Sequence, residues 1–301
     1  RAQRETRGGQ ATPCLAALSY PDFRVQFAAA SVVLQLDPNK SFKGSTQVVA
    51  ILMRALNDGG VKAGLVIDPN SDRAASFAGY LGESGYEPKF ATTGQKGFEI
   101  AATRGDVEFI AIHAACIRWG LGQTIANLRA DARTAGIPIV IYGPESIYPK
   151  IEYLFTAYPL IGFATNGEKS FKNGVKLFLQ QRQTPPESDE QRNERIEIAG
   201  YWFAHLASGR RTGIFNITRA EDVLAQAIEL PQVGENAIIA LGAIATNSAQ
   251  HRLQEVAVNT TRAPELRQAA ALQLAFHIQR HGVLLSQAQA LEVETRWQEE
   301  A

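Results

Sequence analysis

The sequence predicts an α/β core on a five-stranded, doubly wound parallel sheet, flanked by all-α regions. Three observations predict this. Short apolar runs alternate with amphipathic stretches between Val61 and Gln181, as expected of strands buried on both faces beneath crossover helices. The residues before and after that stretch carry helical periodicity only. At 301 residues the chain is long enough for two or three domains. The expected segments are 1–58 (helical), 59–183 (α/β) and 184–301 (helical).

In the first segment, Pro21 and Asp22 open a helix to Leu36. Val25, Ala29 and Val33 recur every four residues, as do Ala28, Val32 and Leu36, so both sets are expected on one wide apolar face. Asp37-Pro38-Asn39 stops it. Ser45 or Thr46 is the expected cap of a second helix, 47–56, ending near Asn57-Asp58-Gly59-Gly60.

In the second segment the expected strands are 63–67, 86–92, 107–114, 137–142 and 160–164. The helices between and after them are 71–84, 95–103, 121–134, 147–156 and 168–181. A polar, Pro-containing linker, 183–189, leads to the third segment. There the periodicity predicts helices over 190–207, 219–228, 234–245, 249–258, 264–280 and 286–299, with short breaks suggesting antiparallel pairs.

Composition narrows the function classes. Forty-five per cent apolar and 20% charged residues describe an ordinary globular chain, and the formal net charge is zero. Without a block of Lys and Arg, no nucleic-acid partner is expected. No apolar stretch reaches the roughly 18 to 20 residues of a membrane span. Cys14 and Cys116 lack metal-ligand spacing and read as free thiols, with a disulfide between them as the alternative; the free-thiol reading favours a reducing, cytoplasmic setting. The chain begins at Arg1 without Met or an apolar signal core, consistent with a fragment or a processed product.

Two phrases echo one another: Val25-Gln-Phe-Ala-Ala-Ala and Leu266-Arg-Gln-Ala-Ala-Ala. A branched residue, a polar one and a run of Ala allow close helix packing. This resembles the second helices of HEAT-type repeats, which bury their apolar faces by stacking. An unrelated helical bundle is the alternative.

The central segment resembles a receiver domain of two-component, bacterial signal transduction. Lys62-Ala-Gly-Leu-Val-Ile-Asp68 resembles its opening strand, Gly105-Asp-Val-Glu-Phe-Ile-Ala-Ile112 its third, and 128–141 the stretch into its fourth. The resemblance implies a site at the carboxyl ends of the strands. It would comprise paired acids for Mg²⁺, a phospho-accepting Asp, a Thr or Ser, and a Lys. The chain departs at nearly every point. Asp68 remains, but Pro69 and Asn70 follow it. His113 stands in the acceptor position, Gly143 near the Thr or Ser position beside Tyr142, and Asn166 near the Lys position. One carboxylate is too little charge for a tight Mg²⁺ site. Asp68 reads as turn or helix-start chemistry, and His113 as a partly buried histidine satisfied by a neighbour.

Other signals are weaker. Gly162-Phe-Ala-Thr-Asn-Gly167-Glu-Lys169-Ser170 misses a P-loop because Glu168 is inserted before the Lys. Asn216-Ile-Thr218 and Asn259-Thr-Thr261 fit the glycosylation pattern without a secretory signal. His277 and His281, four apart, read as a solvated helix face. Trp119 is expected in packing, with exposure beside Ile117 and Arg118 as the alternative.

The resulting expectation is a non-catalytic scaffold or regulatory protein. It would bind other proteins through a phosphorylation-incompetent pseudoreceiver and HEAT-like helices, with no cofactor and no metal. The alternatives are a small-molecule sensor using the vestigial crevice at Asp68, Asn70, His113, Gly143 and Asn166, or a structural subunit of a larger assembly.

Overall fold

The strands and helices alternate in the predicted order through the middle of the chain. They are β1 (Ala63–Ile67), α4 (Ser71–Glu83), β2 (Glu87–Ala91), α5 (Gly94–Thr103), β3 (Val107–His113), α6 (Leu121–Ala130), β4 (Ile139–Gly143), α7 (Tyr148–Ala157), β5 (Ile161–Thr165) and α8 (Glu168–Gln180). Before them come α1 (Pro13–Ala17), α2 (Phe23–Gln35) and α3 (Ser45–Leu56). After them come α9 (Asp189–Ser208), α10 (Glu221–Ala227), α11 (Gly234–Leu241), α12 (Asn247–Val258), α13 (Pro264–His281) and α14 (Gln287–Glu300). This computed structural model describes residues 13–180 and 187–300. Most of the expected linker, 183–189, lies outside the described residues.

The sheet is all-parallel with strand order β2-β1-β3-β4-β5. The chain starts in the middle, winds to one edge, then crosses back, so a crevice is expected between the carboxyl ends of β1 and β3. β1 and β4 are buried at every position and β3 at all but one, whereas the edge strands β2 and β5 are half open. Pro88 and two charges blunt the β2 edge. Each face carries its own core. One holds Leu65, Ile67, Ile110, Ile112, Ile139 and Ile141 under α5, α6 and α7. The other holds Val66, Phe109, Ala111 and Val140 under Phe77 and Leu81 of α4 and Phe171 and Val175 of α8.

Contacts divide the chain into two units. Ser19–Gln26 and Asp58–Asn193 make the α/β unit. The described residues of Arg1–Leu18, Phe27–Asn57 and Glu194–Ala301 make the helical unit. The helices of the first and third predicted segments therefore share one unit, with α3 touching α10. Among the described residues, no helix is long and apolar enough to cross a membrane.

Four local expectations are corrected. In α2, Gln26, Phe27, Ala29, Ala30, Val33 and Leu34 are buried, but Val25, Ala28, Val32 and Leu36 face outward; the buried face is rotated toward Gln26, Ala30 and Leu34 and takes only Ala29 and Val33 from the two predicted ladders. The cap of α3 is Gly44, in the left-handed region at φ 114°, with no side-chain cap bond; Ser45 is already helical. α6 ends at Ala130 rather than Thr134. There Asp131 Oδ1 accepts from Arg133 N at 2.9 Å and Thr134 Oγ1 donates to Leu128 O at 2.7 Å, turning the chain into β4.

His277 is the fourth. It is fully buried, not on a solvated face. Its Nε2 donates to Ile244 O at 2.7 Å and its Nδ1 accepts from Gln250 Nε2 at 2.9 Å. Gln250 also donates to Gly282 O and accepts from Leu284 N and Leu285 N, tying α12 and α13 to the segment entering α14. Both ring nitrogens of His277 are used internally, so it has no lone pair for a metal.

Candidate functional site: a saturated carboxylate at the strand ends

Strand alternation sets the site. Val66, Ala111 and Val140 face the α4/α8 core. Two residues on, Asp68, His113 and Tyr142 keep the same parity and converge on that side of the sheet. His113 pairs with Tyr142 in register across β3 and β4.

Asp68 is fully buried, and its carboxylate accepts four hydrogen bonds. Oδ1 accepts from Asn70 N at 2.9 Å and from the Arg73 guanidinium at 2.8 Å; Oδ2 accepts from Arg73 Nε at 2.7 Å and the Tyr142 hydroxyl at 2.5 Å. A carboxylate has about four lone-pair directions, and here all are taken. Burial pushes the Asp68 carboxyl upward, but the bonds from Arg73 and Tyr142 outweigh it and hold the pKa below its ordinary value. Tyr142 shifts the opposite way, raised by burial and by the Asp68 charge it donates to.

Arg73 is placed by the start of α4. Asn70 caps that helix, its Oδ1 accepting from Arg73 N at 2.8 Å. This brings the Arg73 side chain back over Asp68. Its guanidinium also lies 3.3 Å from His113 Nδ1, which accepts from Ala115 N at 3.1 Å. With donors at Nδ1, the imidazole is neutral and carries its proton on Nε2. Burial lowers the His113 pKa and Arg73 adds to this, against the opposing pull of Asp68.

Aromatic rings fill the remaining space. Phe77 stacks on Tyr142 at 4.3 Å, while Phe171 and His113 meet it edge-on at 5.6 and 5.1 Å. Gly143 points to the other face, where an added Cβ would lie 3.0 Å from Ala114 Cβ. Asn166 is exposed on the turn after β5 and joins none of these bonds. Of the five sequence-named positions, the structure gathers Asp68, Asn70 and His113, and leaves Gly143 and Asn166 outside.

Arg73 is the residue that sequence reading missed, together with the role of Tyr142. The signal was present: Asp68, His113 and Tyr142 each stand two residues beyond a buried strand residue of one face, and Arg73 stands three after an Asn cap.

The β3–α6 loop does different work. Arg118 and Trp119 are both left-handed, at φ 47° and 78°. Ile117 O and Arg118 O accept from Gly94 N and Gln95 N at 3.0 and 3.1 Å, satisfying the open start of α5. Trp119 is half-buried against Phe98 at 5.7 Å, while Ile117 is exposed. Gly162 lies inside β5, where an added Cβ would meet Phe178 at 3.1 Å, so it is a packing glycine rather than part of a phosphate loop. Asn216 and Asn259 each close a local turn, accepting from Thr218 N and Thr261 N. Cys14 and Cys116 are free thiols. Among the described residues, no cluster of three His, Cys, Asp or Glu could hold a metal ion.

No protein-family model matches this chain, and no curated protein matches it.

Proposed function

We propose that the chain is a non-catalytic scaffold or regulatory protein. In this reading the α/β unit is a receiver-like domain without phosphorylation chemistry, the helical unit is HEAT-like, and both bind other proteins. The observation that carries the reading is the saturation of Asp68. A hard divalent cation needs several free oxygen ligands, and Arg73, Tyr142 and Asn70 N already occupy this carboxylate. The neighbouring strand ends in His113, whose Nδ1 accepts two internal donors. The arrangement keeps a shape and spends its polar groups on holding it.

The strand order β2-β1-β3-β4-β5 supports the receiver-like part. Exposed Leu272 and Phe276, one turn apart on α13, support an interaction role for the helices. The sensor alternative has less support, because Tyr142, Phe77 and Phe171 fill the crevice it requires.

Incubation with acetyl phosphate and Mg²⁺, followed by intact-mass measurement, tests the first half; the expected result is no added phosphate, and a stoichiometric gain overturns it. Affinity capture from the native cell tests the second half. A stable, specific partner is expected, and a clean monomer without partners counts against it.

A further inference from the structure

A groove of about 490 Å³ lies in the α/β unit, between α8 and the residues that lead into β1 and β2. Sequence spacing builds one wall. Lys172, Val175, Lys176 and Leu179 stand at i, i+3, i+4 and i+7 on α8, so they share one helix face. Lys62 and Tyr86, just before β1 and β2, build the other. Val175 and Tyr86 are buried and Leu179 is half-buried, so the floor is apolar.

The charge around this floor is one-sided. Among the described residues, three lysines and no acid line the groove, although the whole chain has a formal net charge of zero. Lys172 is matched, by Glu83 and by Glu168 at 2.7 Å. Lys62 and Lys176 differ: among the described residues, neither has a carboxylate within ion-pair distance. Lys62 Nζ rests 4.5 Å from the centre of the Tyr86 ring, and Lys176 is exposed one turn beyond Lys172. The nearby end of α4 does not account for Lys62. There Tyr80 O accepts from Ser84 Oγ, Leu81 O from Ser84 N and Tyr86 N, and Gly82 O from Gly85 N. That helix end is closed without a cation.

We propose that this groove docks an acidic, aliphatic segment of a protein partner. Carboxylates of the segment meet Lys62 and Lys176 on the two walls, and a Leu-like side chain between them covers Val175, Leu179 and the Tyr86 ring. Charge complementarity sets the sign of the partner, and the apolar floor sets its second requirement. A nucleic acid asks for a row of phosphate contacts, which two free ammonium groups astride an apolar floor do not supply. The proposal rests on the reading that the α/β unit binds proteins, and it names the chemistry of that partner at one surface.

The test uses the full chain, ¹⁵N-labelled, titrated with N-acetyl-Glu-Leu-Asp-Leu-amide. The comparison ligands are the same peptide with Lys for its acids, the same peptide with Gly for its Leu residues, and inorganic phosphate. For the acidic, aliphatic peptide we expect saturable shifts confined to residues 62, 84–86 and 172–180, stronger than for any comparison ligand and weakened by salt. Lys176 is exposed, so Lys176→Glu should keep the fold and weaken binding by about tenfold, one surface attraction being exchanged for a repulsion. Lys169→Glu makes the same change of charge on α8 outside the groove and should leave binding intact. The proposal falls if shifts do not saturate up to tens of millimolar peptide, if the Lys peptide, the Gly peptide or phosphate acts equally, or if Lys176→Glu has no more effect than Lys169→Glu. Capture of a native partner unchanged by Lys62→Glu with Lys176→Glu sinks this groove alone, whereas absence of any partner sinks the interaction reading itself.

Discussion

The hydroxyl of Tyr142, at the end of β4, donates to the buried carboxylate of Asp68, at the end of β1, at 2.5 Å, although β3 lies between the two strands. The bond joins the ends of two strands that share no ladder, each pairing with β3. Tyr142→Phe keeps the ring stacked on Phe77 and removes only the donor. It should cost about 1.5 to 3 kcal/mol, the range for hydrogen bonds to charged groups, read as a lower urea midpoint with unchanged slope.

Arg73→Ala should cost more than Tyr142→Phe, on the order of 3 kcal/mol, because it strands a buried charge. Asp68→Asn in the Arg73→Ala background should recover part of the loss, since a neutral amide no longer needs a cation. A double-mutant cycle on urea midpoints reads the coupling; additivity would show that the two side chains act independently.

Stability should fall in acid in two stages. His113 and His277 have folded-state pKa values below the ordinary one; for His277, burial and the nearby His281 and Arg280 outweigh its bond to Ile244 O. Their contribution is therefore complete above about pH 6.5, the unfolded value, and is lost as pH falls through the folded value. Asp68 is also depressed, so its contribution is complete above about pH 4 and is lost below that, as pH falls through the folded value. Urea midpoints across pH should show both steps. His277→Leu should lower the midpoint at pH 8 and reduce the slope of the upper step.

Gly97→Ala should destabilise by about 1 to 3 kcal/mol through overpacking, because an added Cβ would collide with the Ile67 side chain beneath α5. Gly79→Ala, on α4 with open space around the position, is the matched control. It should gain up to about 1 kcal/mol from helix propensity. Thermal melts of the pair separate the packing effect from the propensity effect.

Arg129 should resist replacement by Lys. Its guanidinium donates to four backbone carbonyls, of Ala135, Ile137, Pro159 and Leu160, and joins the turns that enter β4 and β5. Burial brings its pKa down to about 10. Lysine has three donors on one atom and cannot span the same set. Arg129→Lys should cost about 1 to 3 kcal/mol, with faster amide exchange at Ile139 and Ile161.

Much of this protein was legible in its sequence because the information is local and periodic. Apolar runs such as 63–67 and 107–113 mark buried strands by themselves. The Asp68-Pro69-Asn70 turn that opens α4 can be read as turn and helix-start chemistry without coordinates. Long-range pairing is not written locally. Nothing in one strand states that Tyr142 will reach Asp68, or that Arg73 will fold back over the carboxylate it follows by five residues. His277 was misjudged for the same reason: a histidine on a polar-looking helix is buried only because Gln250 and Ile244 O, from elsewhere in the chain, supply its partners. Sequence periodicity set which residues share a face. Tertiary structure alone decided which faces meet, because hydrogen-bond satisfaction of a buried group depends on neighbours that only the folded chain brings within 3 Å or so.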